Sequence, residues 1–465
     1  MIQMKKKFGF WSIVLLTINS IVGSGIFLSP GSVLELAGTY TPMVYIVAAL
    51  FAGILALTFA SAAKYVSQNG ASYAYAEAGY GNHIGYYIGI TRYFAMAIAW
   101  GVQATAVVRL VLVMFAGANG VTYPRLTIGF FLLMAGLFLV NLWGTQVVKW
   151  VNNLSTLGKL LALVTAIVAG IWVFQQTGVN HFSEINQLTA QDGTSLIPPM
   201  TSTLFVSAVV TAFYALAGFE NVATASEEME NPARNLPRAL PIAFLIIIGV
   251  YVSLVTVIML INPEAVLLSH SPVALADAFS NPIVHRIVLY GALISMVGIN
   301  IALSFNVPRI LDAIVEEHQL PQLLARKNRY DVPVISYSIT VVLAILIPVA
   351  FNYQMTEIMV ISSISRFLQF IVVPLAVIRF YYGREKQPVL QQVHHNWWTD
   401  VLVPLLGFII TVFLLLKFDW VAQFTQMING ERHLNLLAIG AMIMGFIIMP
   451  ALLYWWNKKS LKPRL

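Results

Sequence analysis

Two apolar stretches of this chain carry interruptions whose backbone chemistry suits a small charged ligand. The first reads FWSIVLLTINSIVGSGIFLSPGSVLELAG, with Gly23, Ser24 and Gly25 between strongly apolar turns. Two glycines in three residues weaken a helix by roughly 1 kcal/mol each relative to alanine. The second reads TLFVSAVVTAFYALAGFENVATASEEMENPARNLP and carries Gly218 mid-run, closely followed by the ionisable Glu220. For a lone glycine, close helix packing is the commoner explanation. Unwound backbone inside a membrane leaves N–H and C=O groups unpaired, which is tolerable only where they line a cavity or hold a ligand. Half-helix N-termini attract a carboxylate, and exposed carbonyls attract an ammonium. A zwitterionic amino acid offers both groups.

Several ionisable side chains lie within apolar runs. Lys159 sits in VNNLSTLGKLLALVTAIVAG, about two turns from its start, where it could snorkel to the membrane surface or hold a charge inside the bundle. Glu220, beside a helix break, is the stronger candidate for a working group, with a protonated carboxyl bonded across helices as its alternative. Arg366, in ISSISRFLQF, suits a structural role or a gate. Arg92 and Arg109 are assigned no role. Glu227, Glu228 and Glu230, near Arg234 and Arg238, read as solvated ion pairs, or as part of an inner gate.

These groups need elements that hold them in lipid. Of 465 residues, 59% are hydrophobic and only 10% charged, and mean hydropathy is +0.80. Soluble domains carry about 25% charged residues. Apolar runs able to cross roughly 30 Å of hydrocarbon fall at about 10–36, 41–62, 84–115, 124–144, 151–175, 200–224, 239–261, 284–307, 333–351, 356–381, 400–418 and 436–456. The predicted fold is therefore an all-α integral membrane protein of twelve transmembrane helices in a single domain. The basic segment Met1–Lys7 leads into a run too long for a signal peptide, so that run is read as the first span.

With the N-terminus inside, only Arg125, Arg286, Lys417 and Arg432 fall outside, and Arg92, Arg109, Lys159 and Arg366 lie within spans. That leaves eighteen of the 26 Lys and Arg on the inner side, the bias of the positive-inside rule. The net charge of +7 thus reflects topology and not a nucleic-acid partner. Both termini are expected in the cytoplasm, and the chain in the cytoplasmic membrane among its lipids. The inner loop at 308–332 is amphipathic enough for a short helix at the membrane surface. The interrupted spans are the first and the sixth. If spans 1–5 and 6–10 are two inverted halves, the interruptions occupy matching positions, the best sequence pointer to a transporter's substrate site.

The motifs themselves look familiar. GSGIF at 23–27 with LSPG and the AG at 37–38, FYALAGFENVATASEEMENPARNLPRALP at 213–241, and VPRILDAIVEEHQLP at 307–321 resemble segments of the amino acid–polyamine–organocation superfamily, in the same order. The pattern is similar to bacterial amino acid antiporters, including the arginine–agmatine exchanger, and to LAT-like and proton-coupled permeases. The resemblance implies a LeuT-type 5+5 inverted repeat with broken helices 1 and 6, halves at about 10–175 and 200–381, and peripheral helices at about 400–456. It further implies that Ser24 and the Gly25 N–H receive a substrate carboxylate. The carbonyls of Ile21, Tyr214 and Ala217 would receive its ammonium, with Gly23 and Gly218 shaping the breaks. Tyr214 stands where the arginine–agmatine exchanger has a tryptophan over its substrate, and Glu220 matches an acidic gate or proton-sensing residue. Lys159 corresponds to a lysine that sodium-independent members place where sodium-coupled relatives bind a cation.

One departure matters for the substrate. ALISMVGINIALS, in the eighth span, has no aromatic to sandwich a guanidinium. This favours a neutral amino acid, with a cationic amino acid or polyamine exchanger as the alternative. Protons are the candidate coupling ion, and no cofactor or metal is expected. The chain lacks cysteine, a nucleotide-binding P-loop and the His-Glu-x-x-His and Gly-x-Ser-x-Gly motifs. An embedded enzyme and a channel are the rival classes. Turnover in detergent would mark the first, and conductance without counter-substrate the second.

Overall fold

The computed structural model describes residues 9–66, 71–142, 145–190, 193–224, 229–269, 271–328, 332–390, 393, 395–428 and 431–460. Helices dominate. Nine helical stretches among the described residues are long and apolar enough to cross a membrane, and Phe10–Ile21, Ser202–Tyr214 and Val334–Ala350 are shorter apolar helices. The chain is a multi-pass membrane protein.

The first apolar run is two helices, α1 (Phe10–Ile21) and α2 (Gly25–Ala37), separated by the bend Val22–Ser24. After them come α3 (Thr41–Tyr65), the short α4 (Ser72–Tyr80), α5 (Asn82–Ala116), α6 (Tyr123–Leu142) and α7 (Thr145–Thr177). The sixth run is likewise divided, into α8 (Ser202–Tyr214) and α9 (Phe219–Thr224). The order continues through α10 (Pro232–Ile261), α11 (Pro263–Leu267), α12 (Pro282–Asn306), α13 (Ile310–Glu316) and α14 (Val334–Ala350). Next are α15 (Met355–Ile364), α16 (Phe367–Tyr381), α17 (Val403–Lys417), α18 (Trp420–Gln423), α19 (Leu436–Ile443) and α20 (Met449–Ser460). A hairpin, β1 (Thr425–Ile428) paired antiparallel with β2 (Glu431–Leu434), joins α18 to α19. The segment 308–332 holds the short helix α13, whose Leu311 and Ile314 are buried.

The tenth run, expected as one span, has a tightened turn at Ser365–Arg366 between α15 and α16. Its cause is local. Ser363 and Ser365 donate side-chain hydrogen bonds to the carbonyls of Met359 and Ile361 four residues back, a contact that bends helices.

Loop contacts define two ends of the bundle. The hairpin end gathers Thr39 with Asn186, His181 with Leu260, and Asn352 with Gln426. The other end gathers Lys386 with Ala78, Leu390 with Tyr65, and Asn457 with His318. There Asp400 is fully buried and accepts from Lys64 Nζ at 2.5 Å and from Tyr65 Oη at 2.9 Å, fixing the start of α17 to α3.

Within the bundle α2 packs on α8 and α1 on α9. The two divided runs therefore cross antiparallel with their interruptions level. A cluster of Phe51, Phe59, Phe213, Phe219, Phe367 and Phe370 brackets the second interruption, with Phe213 5.1 Å from Phe51 and Phe219 stacked 5.8 Å from Phe370. Such aromatic pairs add to packing, which in lipid has no water-driven hydrophobic term to help it.

Candidate functional site

The first interruption starts where Val22 leaves helical geometry, with ψ at 88°, while its N–H still bonds Ile18. Gly25 opens α2, and Ser24 caps it without a side-chain bond to the helix. Instead Ser24 Oγ donates to Gln103 Oε1 on α5, and Gln103 Nε2 donates to Tyr214 Oη at 2.5 Å. Ser24, Gln103 and Tyr214 are all buried. One amide thus ties both interruptions together, and sequence analysis missed Gln103. An amide side chain in mid-span, within AMAIAWGVQATAVV, was the available signal.

Backbone contact between the interruptions is close. A Cβ on Gly25 would stand 2.7 Å from Ala215 Cα, so only glycine permits this approach. Gly218 has φ +119°, and a Cβ there would collide with the Ser20 carbonyl. Ser20 Oγ donates to the Gly218 carbonyl at 2.8 Å, a second tie across the crossing. At the end of α8, the carbonyls of Ala212 and Phe213 accept from Ala215 and Leu216, and that of Ala215 accepts from Tyr251 Oη. Ala217 lies in the turn before Gly218.

Glu220 and Arg366, read separately in the sequence, form one buried pair. Glu220 Oε1 lies 2.8 Å from Arg366 Nη1, with side-chain exposures of 1% and 8%. The other carboxylate oxygen accepts from the Gly218 N–H at 2.9 Å. The carboxylate therefore binds the backbone that the glycine frees, while the arginine at the start of α16 balances its charge. Arg92, buried on α5, belongs to the same electrostatic neighbourhood.

Lys159 is buried, and its Nζ donates to the Asn19 carbonyl at 3.0 Å, in the last turn of α1. Thr156 reaches the same residue through Asn19 Oδ1 at 3.0 Å. An ammonium there meets the negative end of the α1 dipole. The seam between α7 and α12 beside it is tight, since a Cβ on Gly291 would stand 2.8 Å from the Gly158 carbonyl. Glu227 and Glu228 lie outside the described residues, whereas Glu230, Arg234 and Arg238 are exposed.

Two interrupted helices with facing backbone and a buried charged pair are a transporter's furniture, and comparison with known proteins agrees. Residues 8–449 match the sequence profile of the family described as amino acid permease. The chain belongs to the amino acid permease family. It is 39% identical to an uncharacterised transporter of Mycobacterium tuberculosis (strain CDC 1551 / Oshkosh) over 96% of this chain and 94% of that protein. It is 26% identical to the serine/threonine exchanger SteT of Bacillus subtilis, covering 82% of this chain and 84% of that one. Similarity to the branched-chain amino acid permease BcaP of the same organism is 23% identity over 90% and 89%. The superfamily suggested by the motifs is thereby shown, and the named relatives are transporters, not enzymes.

Proposed function

We propose that this permease is a secondary active transporter that moves neutral amino acids across the cytoplasmic membrane by alternating access, without sodium. In this reading the chain has twelve spans, the first made of α1 with α2 and the sixth of α8 with α9. They form a LeuT-type 5+5 inverted repeat, with halves at about 10–175 and 200–381 and both termini cytoplasmic. The observation that carries the proposal is the level crossing of the two interruptions, Gly25 against Ala215, with Ser24 and Tyr214 joined through Gln103.

At that crossing Ser24 and the Gly25 N–H hold the substrate carboxylate, and the carbonyls of Ile21, Tyr214 and Ala217 hold its ammonium. Gly23 and Gly218 give the backbone its freedom. Gln103 presents both hydroxyls, and the arriving carboxylate takes over the Ser24 hydroxyl from the amide. Lys159 supplies the fixed cation against α1 that removes the need for sodium, and its proton is the candidate coupling ion. Glu220 with Arg366 acts as a latch on the second interruption.

A neutral side chain follows from charge. Glu220 is the only acidic residue in 9–34 or 202–224, and Arg366 and the Gly218 N–H already engage it. No carboxylate in those segments is left to pair a cationic side chain. The names of SteT and BcaP are for neutral amino acids, and that of cationic amino acid transporter 4 of Mus musculus, 26% identical, carries the cationic alternative.

A competition panel tests this. Uptake of labelled L-serine and L-leucine into proteoliposomes is measured against every other amino acid and polyamines, at two pH values, with and without sodium. Saturable uptake competed by neutral amino acids and indifferent to sodium is expected. Competition by arginine or polyamines alone, or a sodium requirement, refutes it.

A further inference from the structure

Beyond the crossing, α2 presents Leu28, Gly31, Ser32 and Glu35 on one helical face, spaced i, i+3, i+4 and i+7. These four residues line a cavity of about 190 Å³ at the hairpin end. Its remaining wall comes from Arg109 on α5, from Val266, Leu267, Ser269, Ser271, Pro272 and Ala274, and from Gln354 to Thr356 at the start of α15. Ser32 Oγ and Thr356 Oγ1 bond at 2.9 Å, joining α2 to α15 beside it. One turn of α2 separates Leu28 from Gly25, and Glu35 is about 15 Å of helix rise beyond the interruption. The cavity therefore lies along the helix that leads to the crossing.

Its charge content is selective. Among the described residues of the lining, Glu35 and Arg109 are the charged ones, one of each sign. Arg109 Nε is buried without a hydrogen-bond partner, and Glu35 is exposed. A lone anion would satisfy the guanidinium and leave Glu35 facing it, and a lone cation would do the reverse. A zwitterion offers a carboxylate to the guanidinium and an ammonium to Glu35 at once. Ser32, Ser269, Ser271, Gln354 and Thr356 add hydrogen-bonding groups, while Leu28, Val266 and Met355 provide an apolar side for an aliphatic or small side chain.

We infer that this cavity is a second amino acid subsite, holding a neutral zwitterion with its carboxylate on Arg109 and its ammonium on Glu35, on the route to the crossing. The inference rests on the neutral-substrate reading above. Loading here keeps a substrate molecule beside α2 while another occupies the crossing.

Equilibrium dialysis of the purified full chain in lipid nanodiscs, with labelled L-serine and L-leucine, counts bound molecules at saturation. Two per chain are expected for the transported amino acid. Ser24→Phe, which fills the crossing, keeps one. Glu35→Gln and Arg109→Gln each weaken the second site at least about tenfold, the loss expected when one charge-assisted bond is removed. Glu35→Gln carries the test if Arg109→Gln does not give a monodisperse protein. Saturation at one molecule per chain, or a second molecule that survives Glu35→Gln, overturns the subsite. A single Ser24-dependent molecule with normal uptake defeats this inference and leaves the transport reading standing. If wild-type protein neither binds nor takes up either amino acid, the neutral-substrate reading fails and this inference with it.

Discussion

Replacing Glu220 by glutamine tests the buried pair most directly. The substitution is nearly isosteric, and its amide oxygen can still accept the Gly218 N–H that Glu220 holds at 2.9 Å. What it removes is the negative charge 2.8 Å from Arg366 Nη1, in a site where the two side chains are 1% and 8% exposed. Breaking a buried pair by removing one partner costs about 3–5 kcal/mol, because the other charge is left without compensation. Retention of the Gly218 bond puts Glu220→Gln at the lower end, about 3 kcal/mol. In a chain of 465 residues that corresponds to a fall of about 3 °C in the thermal midpoint. Arg366→Gln should cost a similar amount. The double variant, which strands neither charge, should be more stable than the sum of the two losses. Thermal unfolding of the detergent-purified protein, followed by size-exclusion of the surviving fraction, reads all three. The exposed His181–Glu184 pair at 3.3 Å is the control, worth at most about 1 kcal/mol. A Glu220→Gln variant as stable as wild type, or strictly additive losses, would show that the pair does not hold the second interruption.

Three further outcomes follow from the same geometry. Gly218→Ala places a Cβ on backbone with φ +119° and into the Ser20 carbonyl, at a strain of about 1–3 kcal/mol before any clash. It should abolish uptake or folding, while Gly136→Ala, with nothing near its Cβ, should leave both intact. Gln103→Leu strands the buried Ser24 and Tyr214 hydroxyls at about 1–3 kcal/mol each, so the thermal midpoint of the substrate-free protein should fall, and a saturating amino acid that takes the Ser24 hydroxyl should restore part of the loss; an unchanged midpoint would refute the tie. Lys159→Ala leaves the Asn19 carbonyl without its ammonium and should change the pH dependence or turnover of uptake; unchanged transport would reduce Lys159 to packing.

A pH effect is expected away from the membrane core. Glu77, on the short α4, accepts from Gln319 Nε2 at 2.6 Å, and burial raises its carboxyl above the ordinary value of 4.5. The folded chain then holds that proton more tightly than the unfolded chain. Its contribution to stability is full at acid pH and is lost as pH rises from about 4.5 through the raised value. Glu77→Gln, which keeps the acceptor, should raise the thermal midpoint at neutral pH and flatten its pH dependence. A lower midpoint at neutral pH would refute this account.

Hydropathy and charge by themselves determined that the chain crosses the membrane many times and which loops share a side. Both are local properties of about 20 residues, the length that spans the hydrocarbon. A glycine pair announced the first interruption and a single glycine the second, since glycine at 23, 25 and 218 weakens a helix whatever surrounds it. The motifs around those glycines were enough to suggest the superfamily. Tertiary structure alone decided the partners. Glu220 and Arg366 lie 146 residues apart, and nothing in either segment names the other. Gln103 reads as an ordinary polar residue until α5 brings it between Ser24 and Tyr214. The turn at Ser365–Arg366 went unanticipated because it arises from serine back-bonds and not from glycine. Lys159 was left between the surface and the interior by its sequence position, and burial against the Asn19 carbonyl places it inside. Charges buried in lipid must be met by other buried groups, and which groups meet is set by how the helices cross.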